Sequence, residues 1–235
     1  MNWLRIKGKL SAFRKILRGD LAPSGSQAGE DQIIRYLFAS RMQIKDPTYL
    51  DIGTNHPFKC NNTFYFYSRG SHGVCIEPDP SFYRMIKKHR SRDTVLRAGI
   101  GLGNKKEDEL YVFSEPYSGW NTFIKDEAEM RVKETGIPYN QVLTVPMLNI
   151  NEVIEKYFDK WPNLISIDAE GLDLNILKTL DFSKYKPEVI CVESITFSTT
   201  NQEKNIDEIE PFMHSKGYFA YANSHINTIY CRSDK

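Results

Sequence analysis

The fold is decided by residues 48–79, which read TYLDIGTNHPFKCNNTFYFYSRGSHGVCIEPD. The apolar run 49–52 predicts a short strand, and the Gly-Thr-Asn that follows it permits a tight turn. An aromatic segment then predicts a helix, and residues 74–76 predict a second strand that leads into Glu77. The stretch therefore predicts a β-turn-α-β unit with a carboxylate at the tip of each strand, Asp51 or Glu77.

Such a unit has a physical use, because ligands of open parallel sheets bind beyond the carboxyl ends of the strands. A glycine turn lets the backbone approach a ligand, and Glu77 can accept hydrogen bonds from a ribose diol. The unit would serve NAD, FAD or S-adenosylmethionine (SAM). The turn holds one glycine, whereas a pyrophosphate site prefers G-x-G-x-x-G. Asp51 also disfavours a pyrophosphate and suits the positive sulfonium and ammonium groups of SAM.

Four runs resemble the FkbM-type SAM-dependent methyltransferases: DIGTNHP (51–57), NNTFYFY (61–67), IEPDPSFY (76–83) and LISIDAEGLDLNIL (164–177). The His-Pro after the asparagine and the Ser-Gln-x-Gly-Glu-Asp pattern at 26–31 are similar to one branch of that family. The resemblance implies an α/β fold of the class I methyltransferase (Rossmann) type. We expect a doubly wound, mostly parallel sheet with an antiparallel C-terminal hairpin. It also implies methyl transfer from SAM to oxygen on a sugar, glycan or other small hydroxylated acceptor.

Candidate cofactor residues follow from the resemblance. Glu77 would hold the ribose hydroxyls, and the turn from Asp51 to Asn55 would hold the amino-acid end. Small residues after a third predicted strand at 94–96 would let the adenine lie against backbone. Gln27 lies in the segment that borders the cofactor cleft in the family, although 26–31 could equally be an ordinary helix start. The complete predicted set is Gln27, Asp51, Gly53, Thr54, Asn55, Glu77, Pro78, Ala98 and Gly99.

A second informative stretch begins with the apolar run 164–167, a predicted buried strand followed at once by Asp168 and Glu170. Two carboxylates at this edge are candidates for the general base that takes the acceptor's proton. The alternative is that they only cap the helix that follows. The family usually carries lysine where Ser166 stands, so the pair should titrate differently here. Glu193 ends a further predicted strand at the same edge.

The composition narrows the function classes. In 235 residues, 31 lysines and arginines nearly balance 30 aspartates and glutamates, so no nucleic-acid partner is expected. The four cysteines form no C-x-x-C pair, and the histidines show no metal-ligand spacing, so we predict a reduced, cytoplasmic protein without a metal site. No apolar run approaches the 18 residues typical of a membrane span.

The chain divides into three predicted parts. Residues 1–20 are expected to form a basic amphipathic helix, since the first 19 contain six basic and no acidic residues and apolar residues recur at helical spacing. This helix could pack on its own domain or on a second subunit, or it could lie on anionic lipid at the inner face of the membrane. Residues 21–29 read as a linker, and 30–235 as the methyltransferase domain.

The acceptor site is the least specified part. The polar segments at 117–139 and 201–205 are the strongest candidates for its lining. Two other functions compete, a dehydrogenase that uses the same strand-end acid for a ribose, and a non-catalytic membrane-associated scaffold. The glycine-poor turn disfavours the first, and the retained strand-end acids disfavour the second.

Overall fold

The computed structural model describes residues 23–103, 105–198 and 202–235. The basic helix predicted at 1–20 lies outside these ranges, so its contact with lipid or a second subunit stays a prediction, as does the cytoplasmic location. The domain boundary at residue 30 likewise stays a prediction. In the described ranges, no helix has the length and apolar character needed to cross a membrane.

The described chain forms a seven-stranded and a three-stranded sheet. The strands are β1 (Tyr49–Ile52), β2 (Gly73–Ile76), β3 (Thr94–Leu96), β4 (Gly99–Ile100), β5 (Glu107–Val112), β6 (Gln141–Leu148), β7 (Leu164–Ile167), β8 (Val189–Glu193), β9 (Tyr218–Asn223) and β10 (Asn227–Arg232). The large sheet has the order β3-β2-β1-β7-β8-β10-β9. Its neighbours pair in parallel except for β10, which is antiparallel to both β8 and β9. The predicted parallel sheet and its reversed last strand are therefore confirmed.

Helices cover both faces of the large sheet. They are α1 (Glu30–Tyr36), α2 (Phe64–Ser68), α3 (Pro80–His89), α4 (Lys125–Thr135), α5 (Ile150–Tyr157), α6 (Asp173–Thr179) and α7 (Ile209–Ser215). Side chains of α5, α6 and α7 share one apolar core with the sheet, and those of α1, α2 and α3 share another. The strands feed both cores by alternation, since Leu50 and Ile52 enter the first and Tyr49 the second. This is the doubly wound arrangement that the sequence predicts.

The structure departs from the predicted elements in three places. The apolar residues 33, 34, 37 and 38 have helical spacing and predict one helix over 30–41, but this helix changes after Tyr36 into a π-helical turn, Leu37–Met42. The apolar run 142–145 predicts a short strand, but β6 is longer and pairs with β5 and β4 in the separate small sheet, which no periodicity indicated. The highly charged segment 125–135 predicts a solvated helix, and helix α4 has these bounds, but it buries Ala128 and Arg131.

Candidate active site

Strand register brings three site residues to one edge of the large sheet. Ile52 is paired with Ile76 on one side and with Ile167 on the other. The next residue of each strand is therefore Gly53, Glu77 or Asp168, and a cavity of about 640 Å³ opens there. All the predicted site residues except Asp51 and Thr54 line it: Gln27, Gly53, Asn55, Glu77, Pro78, Ala98, Gly99, Asp168 and Glu170.

The turn after β1 requires its glycine. Gly53 has φ of 76°, and a Cβ atom there would lie 1.8 Å from the backbone oxygen of Asp168. Asn55 is also in the left-handed region, with φ of 53°. The Gly53 and Thr54 amides both donate to the Ile76 carbonyl, at 3.0 and 3.2 Å. The turn is thus pressed against the end of β7, where no side chain larger than hydrogen fits.

Glu77 is buried at the tip of β2 and is 4% exposed. Its Oε2 accepts a hydrogen bond from the Asn55 amide at 2.7 Å, and its Oε1 accepts one from the Asp79 amide at 2.8 Å. Burial raises the pKa of Glu77 to about 8, although the two amide hydrogen bonds act in the opposite direction. Each carboxylate oxygen keeps acceptor capacity for a further donor, as a diol would supply.

Asp51 is turned away from the cavity. Its Oδ2 accepts from Thr63 Oγ1 at 2.6 Å and from Asn61 Nδ2 at 3.3 Å, and Arg90 Nη1 lies 3.6 Å away. Burial raises the pKa of Asp51 even though Arg90 opposes the shift. Thr54 also lies behind the turn and donates to the Asp51 carbonyl at 3.1 Å. Their assignment to the cofactor stays a prediction, and in this structure both residues support the turn from beneath.

The segment 24–31, which carries Gln27 at the rim of the cavity, is held by two buried acids. Asp31 accepts from Ser24 Oγ at 2.7 Å, from the Gly25 amide at 2.7 Å and from Ser26 Oγ at 3.1 Å. Glu30 reaches in the other direction and binds the final hairpin, accepting from Ser224 Oγ at 2.6 Å and from Asn227 Nδ2 at 3.0 Å. The acids therefore do more than favour a helix start, since they fix the loop that carries Gln27 at the cavity wall.

The pair Asp168 and Glu170 does not cap the helix that follows. That helix begins after Leu172 without a side-chain cap, and Asp173 in its first turn accepts from the Ala169 amide at 2.9 Å and from the Gly171 amide at 3.2 Å, which holds the preceding turn in place. Glu170 has φ of 50°, a conformation that is uncommon outside glycine and asparagine. The capping alternative is wrong, and both carboxylates face the cavity.

The pair has unequal surroundings. Burial and the charge of Glu170 raise the pKa of Asp168 well above its usual range. Burial also raises the pKa of Glu170, but only to about 7, because Arg131 Nη2 donates to its Oε2 at 2.9 Å. Ser166, at the family's lysine position, accepts from Asn62 Nδ2 at 3.3 Å. The cation beside the pair is therefore Arg131.

Further wall residues were not predicted individually. Trp120 and Phe197 line the cavity with ring centroids 5.3 Å apart, edge to face. The segment 117–139 also supplies Asn121 and Phe123, and the described part of 201–205 supplies Glu203. Glu193 completes the acidic lining, and its pKa is raised well above the usual range by burial and by Asp168.

One sequence signal could have identified Arg131. Ala128 and Arg131 are three residues apart and are the two buried side chains of α4. A small apolar residue one turn before an arginine is consistent with an inward-facing cation, but the many charges of this helix conceal the pattern. The described residues, those of the site included, contain no group of three or more His, Cys, Asp or Glu side chains arranged to hold a metal ion.

The chain is similar to a known protein family and to several solved structures. The chain matches the family model described as the methyltransferase FkbM domain over residues 51–220. No curated protein matches it. The chain spans about half of the solved FkbM methyltransferase from Methylobacillus flagellatus KT, with 14% identity, 88% of this chain and 48% of that chain covered, and a TM-score of 0.46.

Two further solved structures are similar. One is an O-methyltransferase from Bacillus cereus in complex with SAH, with 12% identity, 95% of this chain and 89% of that chain covered, and a TM-score of 0.41. The other is a precorrin-6y C5,15-methyltransferase from Geobacter metallireducens GS-15, with 11% identity, 86% of this chain and 88% of that chain covered, and a TM-score of 0.42. The family model covers most of the described domain, including the turn after β1 and the carboxylates after β7. On that match, the chain belongs to the FkbM methyltransferase domain family.

Proposed function

We propose that this chain transfers the methyl group of SAM to a hydroxyl oxygen of a sugar, a glycan or another small hydroxylated acceptor. The observation that carries the proposal is the convergence of Glu77, Asp168 and Glu170 on one cavity beside the Gly53 turn. Membership of a methyltransferase family supports the reaction type. The choice of oxygen rests on the carboxylates, since a hydroxyl must lose its proton and these groups can accept it.

The residues at one end of the cavity fit the cofactor. Glu77 would hold the ribose hydroxyls, and the backbone carbonyls of Gly53 and Asn55 would hold the amino-acid end, since their amides already donate to Ile76 and Glu77. Ala98 and Gly99 offer a flat surface for the adenine. A Cβ on Gly99 would lie 2.7 Å from the Phe123 ring and 2.8 Å from the Met147 sulfur, so a larger residue there would have to displace these two side chains.

The remaining members of the predicted set act around this contact surface. Pro78 follows Glu77 in the cavity lining, and Gln27 closes the rim. Asp51 and Thr54 would contribute by fixing the turn from beneath, as their hydrogen bonds indicate. The acidic lining suits a cofactor that carries a sulfonium and an ammonium group, and it would repel a pyrophosphate.

SAM supplies a methyl group that its positive sulfur already activates, so the protein has to orient the acceptor and remove one proton. One carboxylate of the pair takes the proton as the O–H bond breaks and the acceptor oxygen bonds to the methyl carbon. The electrons of the broken S–C bond stay on sulfur. The other carboxylate holds the acceptor in place through a hydrogen bond.

The other end of the cavity supports a sugar-like acceptor. Trp120 and Phe197 present aromatic surface, while Asn121 and the acids present hydrogen-bonding groups. A sugar ring has apolar C–H faces and hydroxyl edges, so it can use both kinds of surface. The same chemistry suits other rings that carry several hydroxyls.

A transfer assay tests the proposal. The protein is incubated with SAM that carries a deuterated methyl group and with a panel of monosaccharides, oligosaccharides and small polyols. We expect demethylated cofactor to form only with an acceptor, and mass spectrometry to place the label on oxygen. Label on nitrogen, or oxidation of the panel with NAD and no use of SAM, would refute it. The matched control is the variant Glu115→Gln, which changes an exposed acid at the same cavity.

A further inference from the structure

We infer that Arg131 is a positioning residue that assigns the two roles within the carboxylate pair, with Glu170 as the proton acceptor and Asp168 as the group that orients the acceptor. This inference rests on the proposed function and deepens it. Nothing in the sequence resemblance assigns a role to Arg131, which lies on the charged helix α4.

The first argument is geometric. Arg131 is 1% exposed. Its Nη2 donates to Glu170 Oε2 at 2.9 Å, and its Nη1 donates to the Trp120 carbonyl at 2.6 Å. Within the described ranges, no donor is hydrogen-bonded to the side chain of Asp168. Only one of the two carboxylates is therefore held in place by a cation, and only that one has a fixed direction.

The second argument is the cost of burying this cation. The Nε of Arg131 is buried and has no hydrogen-bond partner among the described residues. The guanidinium also lies against the Phe197 ring, 4.5 Å from its centroid. A buried arginine with an unsatisfied donor is unfavourable for stability, so a functional benefit is the better explanation for it. That benefit is the fixed Glu170 carboxylate at the cavity.

The third argument concerns charge. Four acids act electrostatically on Glu170 from the surrounding elements: Glu127 of α4, Asp168 of the same turn, Asp173 of α6 and Glu193 at the end of β8. Arg131 is the cation that opposes them at Glu170. Asp168 has no adjacent cation among the described residues. Glu170 should therefore ionise first, and an ionised carboxylate near neutral pH is what a general base requires.

Arginine suits this position because its planar guanidinium group presents several N–H donors in a fixed geometry. It donates to Glu170 and to the Trp120 carbonyl at once, which joins the catalytic turn to the aromatic wall. A lysine would keep the charge but could not bridge both groups with the same rigid geometry. The variants Arg131→Lys and Arg131→Met therefore separate charge from shape.

The test is a carboxylate titration by carbon NMR, with selectively labelled aspartate and glutamate and with no cofactor or acceptor. Asp168→Asn and Glu170→Gln assign the two signals. We expect Glu170 to ionise at lower pH than Asp168 in the parent. Arg131→Met should raise the Glu170 midpoint by about 1–3 pH units, and Arg131→Lys should restore most of the shift. Glu129→Gln, which changes an exposed acid of the same helix that pairs with Lys125, is the matched control and should move the midpoint little.

Either of two results would overturn the inference: Asp168 ionises first in the parent, or Arg131→Met leaves the Glu170 midpoint in place. The order in which Glu170 and Asp168 ionise is measured without any substitution at Arg131. The test therefore remains valid if an Arg131 variant does not fold. With an acceptor identified, Arg131→Met should also move the acidic limb of the pH–rate profile upward, whereas a purely structural role would lower the rate evenly. If the titration gives the expected order but the protein does not bind SAM, the proposed function is refuted. The role of Glu170 as a general base is then refuted with it.

Discussion

The two ends of the cavity are built in different ways. The cofactor end consists of the Gly53–Asn55 turn, Glu77 and the Ala98–Gly99 pair, and each part directly follows a strand or lies just beyond one. The acceptor end of the proposed site is lined by Trp120 and Phe197, from a short turn and the loop after β8, and Arg131 of helix α4 packs behind both. The first end is therefore set by backbone and register, and the second by side chains from distant segments.

This difference explains what each end tolerates. At the cofactor end a single backbone contact, between Gly53 and Asp168, fixes two neighbouring strand tips. At the acceptor end the contacts are hydrogen bonds and ring packing, which other side chains could replace. A family can thus retain its cofactor while the acceptor changes, because variable loops carry the acceptor wall. In the proposed function, the carboxylate pair acts between these two ends.

The largest effect should come from the pair itself. Asp168→Asn and Glu170→Gln should each lower the transfer rate by about 10²–10⁴-fold, because one carboxylate takes the proton and the other orients the acceptor for that step. The affinity for SAM should stay near that of the parent, since Glu77 and the turn are unchanged. Steady-state kinetics and calorimetry check the two parts, with Glu115→Gln as control. Parental turnover in both variants would mean that the proton leaves by another route.

A second comparison uses two glycines with nearly the same backbone conformation. Gly53 and Gly136 have φ of 76° and 72°, but a Cβ on Gly136 would meet no atom within 4 Å. Gly136→Ala should cost about 1–2 kcal/mol of unfolding free energy from conformation alone. Gly53→Ala adds the collision with the Asp168 carbonyl and should cost several kcal/mol more, on the scale of overpacked cores.

Denaturant unfolding of both glycine variants measures this difference, and calorimetry with SAM shows whether the turn survives. Equal losses in the two variants would contradict the close approach of β1 and β7. If Gly136→Ala lost SAM binding while Gly53→Ala kept it, the cofactor could not bind at the turn after β1.

The smallest effect concerns pH. Glu77 and Glu170 have pKa values raised to about 8 and about 7 in the folded protein, above the ordinary value of 4.5. The folded state therefore binds more protons than the unfolded state between about pH 4.5 and 8, so stability should fall as pH rises through this window. One such group contributes a slope of at most about 1.4 kcal/mol per pH unit.

Thermal or urea unfolding from pH 5 to 8 tests this prediction in the parent and in Glu77→Gln. The variant should show a shallower fall, because one of the protons is no longer exchanged. Glu115→Gln removes an exposed carboxylate and is the matched control. A parent whose stability rises across this window would show that the buried acids are ionised throughout.

Much of the fold could be predicted from the sequence, for physical reasons that are visible in single residues. The apolar runs at β1, β2 and β7 end on acids or glycine, which predicts both the strands and the edge where they meet. Alternation could have predicted the direction of Asp51 as well, because Leu50 and Ile52 enter one core and the residue between them must face the other. There it contacts Arg90 and Thr63.

The acceptor end could not be predicted in the same way. A charged helix such as α4 gives no clear indication of which cation turns inward, and the contact of Trp120 with Phe197 joins segments far apart in sequence. The small sheet was missed because β4 has two residues and β6 shows no simple alternation of buried positions. Such features depend on tertiary packing, which local patterns do not encode.

The central claim is that the cofactor end binds SAM through Glu77, and calorimetry with SAM and NAD tests it most directly. We expect the parent to bind SAM and not NAD. Above pH 8, where Glu77 is ionised, Glu77→Ala should weaken SAM binding by about 2–4 kcal/mol, or about 30- to 1000-fold, because it removes charge-assisted hydrogen bonds to the ribose. Glu115→Gln should bind like the parent. Binding of NAD without SAM, or unchanged SAM affinity in Glu77→Ala, would contradict the account.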